Sequence, residues 1–391
     1  MLACAAMSPA RADEAEAPAA QAVDPYQIFF SIGMQELQKQ NYAAAVQVFE
    51  ALSRRVGSQR VKLELARAYY LDRRYSQAKE VFEGVLQDPA LPWGVRENVN
   101  RYLDLIDESL GSVKFSVAFI SDTNPINYTD HREITIAGQT LRLTPPPTQK
   151  TANGIQYGMN ATHAFTGDAS VVGFLNLSFR DFEGGDLDKW VIDTGLGLFP
   201  RRYRKLQGRL GVEDSTYGGD HLYRQPYVSL TYLPDPVEQF RLSTQLKLAY
   251  LDAAEFDYLD GPTQTLSVRA SRILANATQI LGDLYLENAT TDEAAYSYRG
   301  AGLGATLSAP IVGTWGMSVS ASLGTRDYQD TDPFFAETRQ DLTRKMGLTI
   351  YNKRWKFSGF TPEIGLAYER TDSSIDYYEY DKVKLVLGVS E

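Results

Sequence analysis

The stretch FRLSTQLKLAY, residues 240–250, decides the fold. Phe240, Leu242, Leu246, Leu248 and Tyr250 share one parity, and Arg241, Ser243, Gln245 and Lys247 share the other. A period of two is the signature of a strand with one apolar and one polar face. WGMSVSASL (315–323) repeats it, with Trp315, Met317, Val319, Ala321 and Leu323 against Gly316, Ser318, Ser320 and Ser322. In 360–368, Phe360, Ile364, Leu366 and Tyr368 oppose Thr361, Glu363 and Gly365. The last run sets Val383, Leu385, Leu387 and Val389 against Lys384 and Gly388. Working back toward the N-terminus, the first run is KFSVAFIS (114–121), where Val113, Phe115, Val117 and Phe119 share a face. Fourteen such runs follow one another between Ser112 and Glu391.

Two folds alternate in this way: a soluble β-sandwich, and a barrel with lipid outside and a polar interior. The connections favour the barrel. If the first strand runs outward, Asp122–Ala152 is a long outer loop containing Pro145-Pro146-Pro147, and Thr166-Gly167-Asp168 is a tight inner turn. The segments 181–188, 214–221, 252–261, 288–296, 327–337 and 371–377 then fall outside. Segments 199–205, 233–237, Ala275-Asn276, 309–313 and 351–355 fall inside. Long loops outside and short turns inside are expected of an outer-membrane barrel. Charge sorts likewise. Asp181, Glu183, Asp186, Asp188, Asp252, Glu255, Asp257, Asp260, Asp327, Asp330 and Asp332 are assigned outside, and Arg201, Arg202, Arg204, Lys205, Lys353 and Arg354 inside. An even strand count returns Glu391 to the inner side.

Composition agrees with this reading. No stretch approaches the roughly 20 apolar residues of a membrane helix, but a barrel dilutes its hydropathy by alternation, so a mean hydropathy of -0.30 excludes nothing. The 24 Tyr suit aromatic girdles at the membrane interfaces. A net charge of -10 argues against nucleic acid, which requires a basic face. Cys4 is the single cysteine, so no intrachain disulfide is expected. His131, His163 and His221 are too scattered to suggest a metal site.

Residues 1–25 read as a signal-like and flexible lead-in. Met1 to Ala12 is small and apolar, and Ala10-Arg11-Ala12 resembles a cleavage site, although a basic start is missing. Residues 26–110 change period. Tyr42, Ala45 and Phe49 return as Tyr75, Ala78 and Phe82, each 33 residues on, and Ile32-Gly33 returns as Leu65-Ala66. Period and residue types match the tetratricopeptide repeat of about 34 residues. Small residues at Gly33, Ala66, Ala45 and Ala78 let antiparallel helices approach. Tyr42 and Tyr75 fill the turns, Phe49 and Phe82 plug into the next helix, and Pro89 stops one. Val95, Val99, Tyr102, Leu103 and Ile106 form a capping stripe. Such repeats present a concave groove to a protein partner, and Phe30, Met34, Arg67 and Tyr70 are candidates to line it.

The expected architecture is therefore multidomain: a small tetratricopeptide-like α-helical domain (26–110), then a 14-stranded antiparallel transmembrane β-barrel (111–391). The chain carries no nucleophile elbow, zinc spacing, phosphate loop or dinucleotide fingerprint. No catalytic residue, cofactor or metal is expected, and the protein reads as a non-enzyme.

This order, with the repeat residues, the Gly111 hand-over into KFSVAFISDTNPIN and the Asp122-Thr123-Asn124 motif just past the first strand, resembles the surface lipoprotein assembly modulators (Slam proteins). The resemblance covers about 26–391. It implies a Gram-negative outer-membrane translocon that delivers specific lipoproteins or secreted proteins to the cell surface, with its helical domain in the periplasm. It implies protein cargo, often concerned with haem or metal acquisition or host association, and outer-membrane lipid as partners. The absence of a terminal aromatic residue after Leu387 departs from many such barrels. A substrate-selective porin lined by Arg241, Lys247 and Arg269, a surface-exposed host-interaction barrel and a soluble periplasmic repeat-and-sandwich protein are the alternatives.

Overall fold

A computed structural model describes residues 25–136, 138–142, 151–274, 276–352, 354–355 and 360–390. The signal-like segment, Pro145-Pro146-Pro147, Ala275 and Lys353 lie outside the described residues. The chain divides into two compact units, one reaching Asp72 and resuming over Gln77–Leu91, the other formed by Arg73–Ser76 and Pro92–Glu391.

The first unit is helical: α1 (Pro25–Gln38), α2 (Tyr42–Ser53), α3 (Gln59–Leu71) and α4 (Tyr75–Leu86). The helix α4 begins 33 residues after α2, and the backbone repeats with it: Gln40 and Arg73, each two residues before a helix start, both hold φ 61°. Left-handed backbone at a non-glycine residue is uncommon, so a repeated pair marks the same turn built twice. Phe49 is fully buried, and its ring fills the space a side chain at Gly33 would need, a Cβ there falling 2.6 Å from Cζ. It packs back onto α1 of its own hairpin. Ala45, Ala66 and Ala78 are fully buried and Phe82 nearly so, whereas Tyr42 and Tyr75 are half-buried. Tyr69 Oη donates to Glu50 Oε1 at 2.8 Å, tying α3 to α2, and Gln59 Nε2 donates to Asp88 Oδ2 at 3.0 Å.

The second unit opens with α5 (Trp93–Leu110) and runs directly into β1 (Gly111–Asp122). There follow β2 (Glu133–Ile136) and β3 (Gln139–Arg142), a small hairpin inside the first loop, then β4 (Ala152–Ala164), β5 (Val171–Phe182), β6 (Lys189–Leu198), β7 (Leu206–Tyr217) and β8 (Asp220–Tyr232). The wall continues through β9 (Arg241–Ala253), β10 (Gly261–Ile273), β11 (Gln279–Ala289), β12 (Tyr298–Pro310), β13 (Trp315–Thr331), β14 (Thr338–Asn352), β15 (Thr361–Ser373) and β16 (Tyr380–Ser390). All but β2 and β3 join one closed antiparallel barrel of fourteen strands, β1 meeting β16. No helix among the described residues is long and apolar enough to cross a membrane, which says nothing of strands.

The outward face explains the alternation. Leu230 pairs with Leu246, Leu246 with Leu266, and Leu266 with Leu286, giving a row across four strands. These side chains are 53, 44, 39 and 49% exposed. Each leucine left in water forgoes about 1.5–3 kcal/mol of burial, so a wall of such rows is stable only against lipid. The barrel is an outer-membrane barrel. The inner wall is polar, and its bulky residues lie flat over glycines. The Tyr285 ring covers Gly302 and Gly324, where a Cβ at Gly324 would come 2.5 Å from Tyr285 Oη. An added side chain there has no space, which is why the wall carries glycine at these positions.

The expected sorting of loops by length does not hold. The first loop, between β1 and β4, is long, but the connection at 218–219 is a two-residue Gly-Gly turn with both φ positive. Residues 183–188 on the outer side and 199–205 on the inner side are alike in length. The cause is strand extension. Asp327, assigned to a loop, still pairs in the ladder of β13 with β14, which continues past a bulge that includes Asp330 to Thr331 opposite Thr338. Asp181 and Asp252 likewise end strands.

Candidate functional site

Three regions of the barrel unit bear on function: the joint between its first and last strands, the rim above that joint, and the lumen. Gly111 and Ser390 lie toward one rim, the inner, and the loop after β1 lies at the opposite, outer rim.

The joint is uneven. β1 pairs with β4 along its whole length, Gly111–Asp122, but with β16 only from Ser116 opposite Ser390 to Asp122 opposite Lys384. Beyond Asp122 the chain keeps hold of β16 through side chains. The Thr123 amide donates to the Val383 carbonyl at 3.0 Å, and the Val383 amide donates to Thr123 Oγ1 at 2.9 Å. Asp122 Oδ1 accepts the Asn124 amide at 2.9 Å. Asn124 is fully buried; its Nδ2 donates to the Tyr128 and Asp381 carbonyls at 2.8 and 3.2 Å, and its Oδ1 accepts the Tyr128 amide at 2.9 Å. The Asp-Thr-Asn motif is thus a latch between the two ends of the barrel wall. Asn suits it because one amide offers donors and an acceptor together.

Further along the loop, Thr129 Oγ1 donates to the Asp376 carbonyl at 2.8 Å, and His131 Nε2 lies 2.7 Å from Glu379 Oε2. The Glu379 carboxylate raises the His131 pKa above its ordinary value, against a smaller opposing effect of partial burial, with Asp376 and Asp130 adding to the rise. Ile134 of β2 is buried with Phe335 and Ile375 from two other outer loops, and Ile136 and Tyr378 pack on them. The first loop is therefore folded onto the rim. Arg339 stacks over Tyr378 at 3.6 Å and over Tyr328 at 4.7 Å while pairing with Asp341 at 2.7 Å. Tyr378 Oη donates to Asp332 Oδ2 at 3.1 Å.

The lumen is charged and cross-braced. Tyr223 donates to Glu213, Tyr298 to Glu287 and Tyr380 to Glu369, at 2.6, 2.5 and 2.7 Å. Each pair spans an outer hairpin, β7–β8, β11–β12 or β15–β16. Glu287 also pairs with Arg326 at 3.5 Å. Lys247, a lumen residue expected from sequence, stacks over Tyr227 at 4.4 Å, and Tyr227 Oη donates to Asp193 Oδ1 at 2.7 Å.

In the helical unit the four groove candidates divide. Phe30 and Met34 are half-buried on α1; the Phe30 ring meets Phe49 edge-on at 5.7 Å, and Arg60 lies over it at 4.6 Å. On α3, Arg67 is exposed beside Glu64 at 3.4 Å, and Tyr70 is half-buried. Two concavities of this unit are lined by other residues: one by Tyr26, Phe29 and Arg55, the other by Lys62, Tyr69 and Glu80.

Residues 201–391 match one protein family, described as surface lipoprotein assembly modifier. The match covers the barrel wall from β7 to β16. The resemblance read from the chain is borne out over this stretch, which runs from the turn before β7 to the end. A relative is the hemophilin secretion modulator of Acinetobacter baumannii, 22% identical, with the match covering 82% of this chain and 69% of that protein. Among solved structures, the chain is similar to an anion-selective porin from Comamonas acidovorans (11% identity, 72% of this chain and 99% of the porin, TM-score 0.37). It is also similar to OccK5 (OpdH) of Pseudomonas aeruginosa (10% identity, 72% and 97%, TM-score 0.39). The match falls on β7 to β16, whereas the helical repeat and the Asp122-Thr123-Asn124 motif lie before it in the chain.

Proposed function

We propose that this protein acts without catalysis in the secretion or translocation of proteins at the outer membrane, as a translocon that delivers specific lipoproteins or secreted proteins to the cell surface. The observation that carries this reading is the family match over residues 201–391. A relative named as a hemophilin secretion modulator supports a secreted haem-binding protein as one class of cargo. In this reading the helical repeats, 26–110, meet cargo or its chaperone in the periplasm through Phe30, Met34, Arg67 and Tyr70, and the barrel, 111–391, provides the route. The joint of β1 with β16 is where the wall would part, since among the described residues it closes the cylinder between the first and last strands, distant in sequence. Folding of cargo outside the cell supplies direction.

The test is deletion of the gene in its host, followed by protease shaving of intact cells and quantitative proteomics of the surface. The expected result is loss of one or a few lipoproteins or secreted proteins from the surface, restored by the full chain and not by a chain lacking 26–110. An unchanged surface and culture medium would overturn the reading.

A charged inner wall also suits a substrate-selective porin. Single-channel recording in planar bilayers separates the two: a porin gives steady conductance, and a latched translocon is closed at rest.

A further inference from the structure

One cavity of the lumen, about 510 Å³, lies beneath the outer rim beside the joint of β1 with β16. Lys345, Lys382, Lys384 and Arg180 face it from β14, β16 and β5. Its carboxylates are already engaged on that side. Glu369 accepts from Tyr380 at 2.7 Å and pairs with Lys345 at 3.3 Å and Lys382 at 4.0 Å. Asp122 holds the Asn124 amide. Lys384 and Arg180 have no carboxylate within ion-pair distance among the described residues. Lys384 Nζ reaches across β1 to Gln156 Oε1 of β4 at 3.4 Å, and Gln156 is the cross-strand partner of Arg180. Two cations thus stand side by side over one polar amide, repelling each other, at the edge of a cavity. The opposite wall is made of small residues, Gly304, Ser320, Ser322 and Gly347, with Asp283 lying against Gly304.

We infer that this cavity is an oxyanion-binding site, taking a carboxylate or phosphate group between Arg180 and Lys384. Guanidinium and ammonium groups bind such anions through short charge-assisted hydrogen bonds, Arg by its planar fork and Lys as a point charge. Low-dielectric walls focus the field of adjacent cations into the lumen. An anion placed there relieves the repulsion between them, which Asp122, the cross-strand partner of Lys384, offsets only in part, lying beyond ion-pair distance. Asp283 faces the same space from β11 and opposes a second negative charge, which limits the site to one group close to the β5–β16 side. The site stands whether the lumen conducts solutes or passes a polypeptide.

The test uses the full chain in detergent micelles, with citrate, inorganic phosphate and a short oligoglutamate peptide as probes. Acylation of individual lysines is followed by mass spectrometry, and Lys205, in an exposed turn far from the cavity, is the control. Citrate is expected to protect Lys384 and leave Lys205 unchanged. Arg180→Gln is expected to raise the half-protecting citrate concentration about tenfold, the factor for about 1.4 kcal/mol, and Asp283→Asn to lower it. Because Asp283→Asn removes a repulsion and keeps the side-chain shape, it keeps the test decisive if Arg180→Gln fails to fold. Protection by phosphate alone assigns the site to phosphate groups, and protection by the peptide assigns it to protein carboxylates. Equal labelling of Lys384 with and without every probe, or protection unaffected by both substitutions, would overturn the inference.

Discussion

Asn124 Nδ2 donates to the carbonyl of Asp381, a residue 257 positions away, from a side chain with no exposed surface. The bond joins the two ends of the barrel wall at the outer rim. Asn124→Ala would leave the Asp381 carbonyl and the Tyr128 amide and carbonyl without this partner, and a buried polar group left unmade costs about 1–3 kcal/mol. The expected outcome is a barrel that still assembles, melts earlier in detergent, and exchanges the amides of β1 and β16 faster than those of β9 and β10. Uniform acceleration across all strands would show that the latch is not local.

The His131–Glu379 contact makes the first loop sensitive to pH. The folded-state pKa of His131 is raised, chiefly by Glu379. Its contribution is therefore full below the unfolded value of about 6.5 and is lost as pH rises through the folded value above it. The side chains are 39 and 26% exposed, so salt weakens the contact. Hydrogen exchange across 123–136, corrected for intrinsic rates, should show better protection at acidic than at alkaline pH. His131→Gln should remove that difference while Tyr285 and its neighbours stay unchanged.

Gly302 tests the packing of the inner wall. A Cβ there runs into the Tyr285 ring. Gly302→Val is expected to destabilise the barrel by about 1–3 kcal/mol through overpacking, read by equilibrium unfolding in urea with lipid vesicles. The double variant Gly302→Val/Tyr285→Ala should recover part of the loss. No recovery would mean that the strain lies in the backbone of β12 rather than against the ring.

Leu266 tests which face meets lipid. It pairs with Leu246 on one side and Leu286 on the other in the outward belt. Leu266→Lys at mid-height is expected to cost about 2–4 kcal/mol of insertion stability. Ser267→Lys, one position on and facing inward, is expected to cost far less. The two variants share a strand and a charge, so folding yields into vesicles compare faces directly, and equal yields would contradict the orientation.

Much of this was legible from parity alone. Leu242, Leu246 and Leu248 against Ser243, Gln245 and Lys247 state a wall with two solvents, and the strand count and antiparallel order follow from repeating that reading. Strand ends were not legible. Residues 327–331 look like loop because they are polar, yet backbone pairing with β14 does not depend on the side chain, and outer strand ends stand clear of the lipid that enforces alternation. Length sorting failed for the same reason, and the Gly218-Gly219 turn is the plainest case. The latch was visible only as a motif: nothing local in Asp122-Thr123-Asn124 tells that its partners are Asp381 and Val383. The pairing of Arg180 with Lys384 across Gln156 was missed because it needs the register of three ladders at once. In the helices, the small residue at Gly33 announced close packing, but that the Phe49 ring fills the space above it needed the structure.

The three tyrosine–carboxylate braces, Tyr223–Glu213, Tyr298–Glu287 and Tyr380–Glu369, sit on every second outer hairpin, four strands apart around the wall. Together with the side-chain latch above β16 they act as a hoop at one end of the cylinder. The mouth therefore resists becoming oval, and the barrel wears a reinforced lip at its outer end.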